Sequence, residues 1–254
     1  MKVKILGGHG GVTDGSQATS FLINDKLLID AGSVASTLSI EKQSHIDNVL
    51  ISHSHLDHIK DLAFLCDNCF GLRPQPFEVW THPTVVKIIM THLFNDTIWP
   101  NFAALPTLER PTIHLNALVP EETVRIGGYQ VTPILVQHPN DAMGFIVEQD
   151  RKAILFTVDT ASTDRIWEVA KRFPHLRAIF TEVSFPNKLR KVAIASDHHA
   201  PETLAAEMKK MPAGIPIILT HLKPNFRAQL EQEIAEIGDP RIQLLERDGV
   251  EFNF

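Results

Sequence analysis

Short apolar runs, some alternating with polar residues and some continuous, predict strands at Val3–Leu6, Thr19–Ile23 and Leu27–Ile29, joined by turns containing Gly and Asn. Further runs predict strands at Asn48–Ser52, Gly128–Val136, Gly144–Val147, Ala153–Phe156, Ala178–Thr181, Ile215–Leu219, Ile242–Leu245 and Val250–Phe252. A three-to-four spacing marks helices instead. One carries Ile59, Leu62, Cys66, Cys69 and Phe70, another covers Pro83–Phe94, and a third covers Asp164–Arg172. Two more begin at prolines, which suit a first helical turn: Pro201, with Leu204, Ala205, Met208 and Met211 on one face, and Pro224, with Phe226, Leu230, Ile234 and Ile237. Strands early and late, with helices in both halves, predict an α/β layered fold.

Composition narrows this little. With 254 residues, 44% of them hydrophobic, the chain has enough apolar material for a substantial core, and it is read as one domain over 1–254. No stretch approaches the roughly 20 apolar residues that span a bilayer, so no membrane is expected. The opening Met1–Gly7 reads as a strand running into glycines, not a signal peptide, which points to the cytoplasm. A net charge of −6 without a basic block disfavours a long nucleic acid partner; a homo-oligomer stays open. Cys66 and Cys69 lie on a helical stripe and read as buried, since two thiolates do not complete a structural zinc site. The cluster Gly7-Gly8-His9-Gly10-Gly11 lacks the Gly-Lys-Ser/Thr of a P-loop and reads as a turn that can line a site.

The chemistry concentrates in His53-Ser54-His55-Leu56-Asp57-His58, four potential metal ligands in six residues. Imidazole is the commonest metal ligand, and clustering of this density rarely lacks a use. In an extended segment alternate side chains share a face, so His53, His55 and Asp57 can converge, with His58 turned in by the start of the helix. Such a run can serve two adjacent ions. His138, Asp159 and His221 each end an apolar run, where a side chain emerges at a sheet edge, and they complete a pair of sites.

This order of ligands resembles the metallo-β-lactamase superfamily, over nearly the whole chain, and Leu28-Ile29-Asp30-Ala31-Gly32 is similar to its Asp-containing turn. The resemblance implies an αβ/βα four-layer sandwich. It implies that His53, His55 and His138 hold one metal, that Asp57, His58 and His221 hold the other, and that Asp159 bridges both. Within the superfamily, several segments resemble class II 3′,5′-cyclic nucleotide phosphodiesterases: His53–Ile59, Leu93–Phe102, Thr181–Asn187, Asp197–Leu204 and Thr220–Pro224. Asp61 departs from that pattern where a small residue is usual, and Val158 departs where glycine is common.

The expected activity is hydrolysis of 3′,5′-cyclic nucleotides, cAMP first among them, to 5′-monophosphates. Two divalent cations carry +4 and two aspartates subtract two; a bridging hydroxide leaves +1, which attracts a phosphodiester anion and supplies a nucleophile near neutral pH. Zinc is the default metal, with manganese or iron as alternatives. Asp57 is first a ligand and second a proton handler. His198 is expected to contact phosphate or protonate the leaving oxygen, against the alternative of an exposed helix-capping histidine beside His199. By resemblance Trp99, Asn101 and Phe102 form a base-binding wall, and Ser184 and Asn187 hydrogen-bond ribose or phosphate. Taken alone, an aromatic residue beside proline is more often core. His9, His45, His82, His92, His114 and His175 read as structural or surface residues. The rival functions are tRNA 3′ processing, hydrolysis of another ester such as a lactone or sulfate ester, a redox di-iron centre, and a non-catalytic cyclic nucleotide sensor.

Overall fold

Strand amides and carbonyls need partners, and the apolar runs of this chain find them in two sheets. The computed structural model describes residues 1–245 and 247–254. Among the described residues the first strands are β1 (Lys2–Gly7), β2 (Ser20–Ile23), β3 (Leu27–Ile29), β4 (Asn48–Leu50) and β5 (Phe77–Thr81). A small ribbon of β6 (Pro106–Thr107) and β7 (Arg110–Pro111) precedes β8 (Ile113–Ala117). There follow β9 (Val124–Ile126), β10 (Tyr129–Leu135), β11 (Met143–Gln149), β12 (Lys152–Phe156), β13 (Leu176–Glu182), β14 (Ile217–Thr220), β15 (Ile242–Leu244) and β16 (Glu251–Asn253). One sheet runs β16-β1-β2-β3-β4-β5-β8 and the other β15-β14-β13-β12-β11-β10-β9.

Both sheets are antiparallel at one side and parallel at the other: β3, β4, β5 and β8 run together, as do β12, β13, β14 and β15. Parallel neighbours need long crossovers. In the first half these carry α1 (Val34–Thr37), α2 (Ile40–Ser44), α3 (Leu56–Asn68) and α4 (Pro83–His92). In the second they carry α5 (Arg165–Ala170), α6 (Arg190–Ala195), α7 (Pro201–Glu207) and α8 (Arg227–Ile237).

Period-two alternation sorts each strand between two cores. Ile29 and Phe145 face inward between the sheets, with Phe21, Phe156 and Phe180. Their neighbours Leu28 and Ile146 face outward, Leu28 against α3 and α4 through Leu62 and Ile89, and Ile146 against α5, α7 and α8 through Trp167, Leu204 and Leu230. The expected αβ/βα sandwich is therefore the observed one. The phenyl rings of Phe156 and Phe180 stack 4.8 Å apart at its centre. Burial of each such ring stabilises by roughly 1.5–3 kcal/mol.

Element ends shift by a few residues. The run Asn48–Ser52 is strand only to Leu50, the Pro83 helix stops at His92, and the Pro201 helix stops at Glu207, so Met211 enters the core from the turn beyond it. The pattern did not reveal β5, β8 and β9. Glu78 and Trp80 interrupt β5, and its identity comes from pairing with β4 and β8 on either side. Cys66 and Cys69 are buried thiols, as expected, and burial pushes both pKa values up. No helix among the described residues is long and apolar enough to cross a membrane.

Candidate metal centre

The ligand run begins where β4 stops. Ile51 still pairs with Trp80 through a 3.0 Å backbone hydrogen bond, and the chain then crosses extended to His55, which caps α3. His53 and His55 lie on this extended crossing. Asp57 does not: it occupies the first turn of α3 together with His58. The expectation that alternation alone brings Asp57 to the face of His53 and His55 is thus corrected; the helical turn does it. A close packing makes the turn possible. A Cβ on Gly32 would lie 2.0 Å from the carbonyl oxygen of Asp57. Asp61 accepts hydrogen bonds from the Ala35 and Ser36 amides at 2.9 and 3.1 Å, tying α3 to α1. A smaller residue there could not make these bonds, which accounts for that departure from the family pattern.

The remaining ligand positions follow β10, β12 and β14. Two of the turns use strained backbone: Val158, just before Asp159, has φ 54° and His221 has φ 60°. A β-branched residue with positive φ is an outlier, so the glycine common at the Val158 position has a steric reason. His221 is held by its amide, which donates to the Gly8 carbonyl at 2.6 Å, and by Gly10, where a Cβ would meet the imidazole at 2.7 Å. The glycine cluster thus lines the centre.

Two groups of ligand atoms gather, each within 4.8 Å of one another: His53, His55, His138 and Asp159, and Asp57, His58, Asp159 and His221. Asp159 is common to both. Its Oδ2 lies 3.8 Å from His53 Nε2, 3.2 Å from His58 Nε2 and 3.1 Å from His221 Nε2. His138 Nε2 and His55 Nδ1 are 3.2 Å apart. His55 and Asp57 are half-buried and mark the open side; the other five are buried.

This donor set fits divalent cations. His53 Nε2, His58 Nε2 and Asp159 Oδ1 are buried with no hydrogen-bond partner among the described residues, a costly state unless a cation faces them. The opposite ring nitrogens are anchored from behind. Nδ1 of His53 meets Ser52 Oγ at 2.9 Å, Nδ1 of His58 meets Asp30 Oδ2 at 2.7 Å, Nδ1 of His138 meets the Asp197 carbonyl at 2.9 Å, and Nδ1 of His221 meets Ser184 Oγ at 2.9 Å. Such contacts fix the tautomer that leaves Nε2 free to ligate.

Electrostatics agree. Burial, joined by the charge of His58, holds the His53 pKa well below its ordinary value, and burial also lowers His55 and His138. For Asp159 burial opposes ionisation, but His221 and His58 overcome it and hold the carboxyl well down; Asp57 is lowered against burial by its bond to His221. Burial likewise opposes protonation of His58, yet Asp159 and Asp30 raise it well above the usual range. A bound cation would take the place of that proton, since ligands must be deprotonated to bind.

A third group, Glu182, His198 and His221, adjoins these. His198 is buried, not an exposed cap: Nδ1 meets Glu182 Oε1 at 2.8 Å, and the ring stacks on His221 at 5.2 Å and lies 4.9 Å from His138. Despite burial, Glu182 raises its pKa. His199 points elsewhere, its Nδ1 3.1 Å from Thr203 Oγ1. Ser184 is fully buried beneath His221 and bonds Glu182 at 2.8 Å. Asn187 accepts from the Glu202 amide at 2.8 Å, joining the segment before α6 to α7. Phe102 is buried in the outer core of the first sheet against Phe70 and Phe94, and Trp99 packs on Phe64. Asn101 caps its own turn through a 3.1 Å bond from the Ala103 amide. The structure therefore brings together the seven candidate ligands and His198. It puts Phe102 and Ser184 where protein already covers them.

Three supporting residues, Asp30, Ser52 and Glu182, stand behind the candidate ligands. Asp30 lies in the Asp-containing turn, and its position after an apolar run is the sequence signal for a buried carboxylate with a partner; it also accepts from the Ser52 amide and hydroxyl, both at 2.8 Å. Ser52 interrupts an otherwise apolar run beside the ligands, and Glu182 ends β13 in the same way as the ligands end their strands.

A family described as a β-lactamase superfamily domain matches residues 26–222. A probable 3′,5′-cyclic-nucleotide phosphodiesterase of Yersinia pestis is 22% identical over 302 aligned positions, covering 99% of this chain and 86% of its own length. The 3′,5′-cyclic-nucleotide phosphodiesterase 1 of Saccharomyces cerevisiae is 25% identical over 79% of this chain and 60% of its own. The crystal structure of unliganded yeast PDE1 superposes with a TM-score of 0.83 at 19% identity, covering 98% of both chains, which shows a shared fold.

Proposed function

The chain belongs to the β-lactamase superfamily, and from that premise we propose that it hydrolyses 3′,5′-cyclic nucleotides, cAMP first among them, to 5′-nucleoside monophosphates. The observation that carries the reading is the seven-residue cluster built around Asp159, in a chain whose relatives are named cyclic-nucleotide phosphodiesterases. His53, His55 and His138 would hold one divalent cation and Asp57, His58 and His221 a second, with Asp159 shared; zinc suits this imidazole-rich set, and manganese or iron are alternatives. Bound there, the cations would supply Lewis acidity and bring the pKa of water to about 7.

The side chains of this protein account for the rest. The half-buried edge at His55 and Asp57 admits the substrate, and the buried histidines behind it exclude bulk water. Water attacks phosphorus in line with the 3′ oxygen, the P–O3′ bond breaks, and the new P–O bond completes a 5′-monophosphate. His198, its Nδ1 held by Glu182, would give the proton of its other ring nitrogen to the departing 3′ oxygen. Asp57 takes up the proton lost from water as its second task.

One set of preparations tests this. Metal content is measured first, and cAMP, cGMP, a generic phosphodiester, a lactone and precursor tRNA are then assayed in parallel. Asp159→Ala and Asp57→Ala should lose most metal and at least about a thousandfold in turnover. Full activity with both metals retained in either variant contradicts the assignment. Cleavage of precursor tRNA without cyclic nucleotide hydrolysis replaces the reading with tRNA processing, and stoichiometric nucleotide binding without turnover replaces it with a sensor.

A further inference from the structure

One half-buried cation beside the centre has no assigned task. Lys223 follows His221 by two residues and turns back over the glycine cluster, where its ammonium donates to the Gly10 carbonyl at 3.1 Å. Gly10 is the residue pressed against the His221 imidazole. The same ammonium stands 5.1 Å from the centroid of the Phe185 ring, and Phe185 lies 5.9 Å from His198. A carbonyl and an aromatic face thus fix one charge at the rim of the ligand cluster. Among the described residues, no carboxylate comes close enough to form an ion pair with it. An ammonium has three donors, and a single carbonyl bond leaves donors free. The site's own carboxylates, Asp57, Asp159 and Glu182, are turned to the histidines.

We propose that Lys223 is the phosphate-reading cation of this site, and that Phe185 positions it. The ammonium hydrogen-bonds a non-bridging phosphate oxygen and so selects anionic phosphodiesters over neutral esters of similar shape. This deepens the phosphodiesterase reading and rests on it. It also moves substrate recognition from the Trp99–Phe102 segment, whose Phe102 is core, to the loops after β13 and β14.

The test uses metal-loaded wild type, Lys223→Met and Lys223→Arg, each checked for metal content. Inorganic phosphate is titrated calorimetrically, and KM and kcat are measured for cAMP at low and high salt. Loss of a charge-assisted hydrogen bond predicts that Lys223→Met binds phosphate about tenfold or more weakly, with metal content unchanged. KM for cAMP should rise by a similar factor and become less sensitive to salt, and Lys223→Arg should recover much of both. Equal phosphate affinity in wild type and Lys223→Met overturns the proposal whatever the substrate proves to be. Failure of wild type to hydrolyse any cyclic nucleotide overturns the phosphodiesterase reading instead, and the phosphate titration still decides the role of Lys223. Should Lys223→Met lose metal, the Arg variant settles the matter: weak phosphate binding there despite full metal content and retained positive charge counts against a phosphate-reading lysine.

Discussion

Replacing Asp30 by asparagine changes one oxygen to nitrogen at a fully buried position, yet it should disturb His58 from behind. Asp30 accepts three hydrogen bonds: Oδ1 from the Ser52 amide, and Oδ2 from the Ser52 hydroxyl and from His58 Nδ1 at 2.7 Å. Asparagine can satisfy these donors in neither of its two orientations. With its oxygen on the Ser52 amide, its NH2 faces His58 Nδ1, which must then accept; the imidazole proton moves to Nε2, the atom aimed at the metal. With the amide flipped, His58 keeps its tautomer but two donors meet at the Ser52 N–H. The second arrangement leaves a buried donor unsatisfied, at about 1–3 kcal/mol. The first weakens metal binding by about 10–100-fold, the usual cost of losing a contact that orients a ligand. The two costs are comparable, so Asp30→Asn should show part of each. Urea unfolding of chelated protein reads the cost of the unsatisfied donor, competition with a chromophoric chelator reads the loss of metal affinity, and ring-nitrogen NMR of His58 distinguishes the tautomers. Metal affinity within threefold of wild type together with unchanged unfolding would refute the claim that Asp30 sets the tautomer of His58.

Two further outcomes follow from geometry elsewhere. Glu207, buried beside α5, accepts from Trp167 Nε1 at 2.5 Å, Ser162 Oγ at 2.7 Å and the Thr163 amide at 3.0 Å. Burial raises its pKa, but these bonds and Lys210 hold it below the ordinary 4.5. Its folded pKa being depressed, the stability it contributes is present above the unfolded value and is lost as pH falls through the folded one. In chelated protein, Glu207→Gln should therefore lower the urea midpoint at pH 7 and flatten its fall below about pH 4.5; parallel acid limbs would show that Glu207 is not the group responsible. Gly10→Ala should push His221 off its position and weaken metal binding at least tenfold, while chelated protein loses about 1–3 kcal/mol from overpacking. Unchanged metal affinity would mean that the glycine loop does not brace His221.

What the sequence determined was the inventory of the candidate site: His53, His55, Asp57 and His58 in one run, and His138, Asp159 and His221 each at the end of an apolar run. Chain order was enough, because a strand end is a local property and metal chemistry restricts which side chains are found there. The alternating and helical periods likewise gave the α/β layers, since each segment's buried face is written in its own spacing. Tertiary structure alone decided how the ligands are held and what stands beside them. Asp57 reaches the centre from a helical turn because Gly32 lets α3 approach, a contact between residues 25 positions apart. His58 owes its tautomer to Asp30 across β3 and β4, and His198 its fixed ring to Glu182 on β13. Phe102, aromatic and near proline, suits core or site by sequence alone, and its packing on Phe94 decides for the core. Such long-range pairings leave no periodic trace in a single chain, because hydrogen-bond direction and close packing depend on where distant segments are brought together.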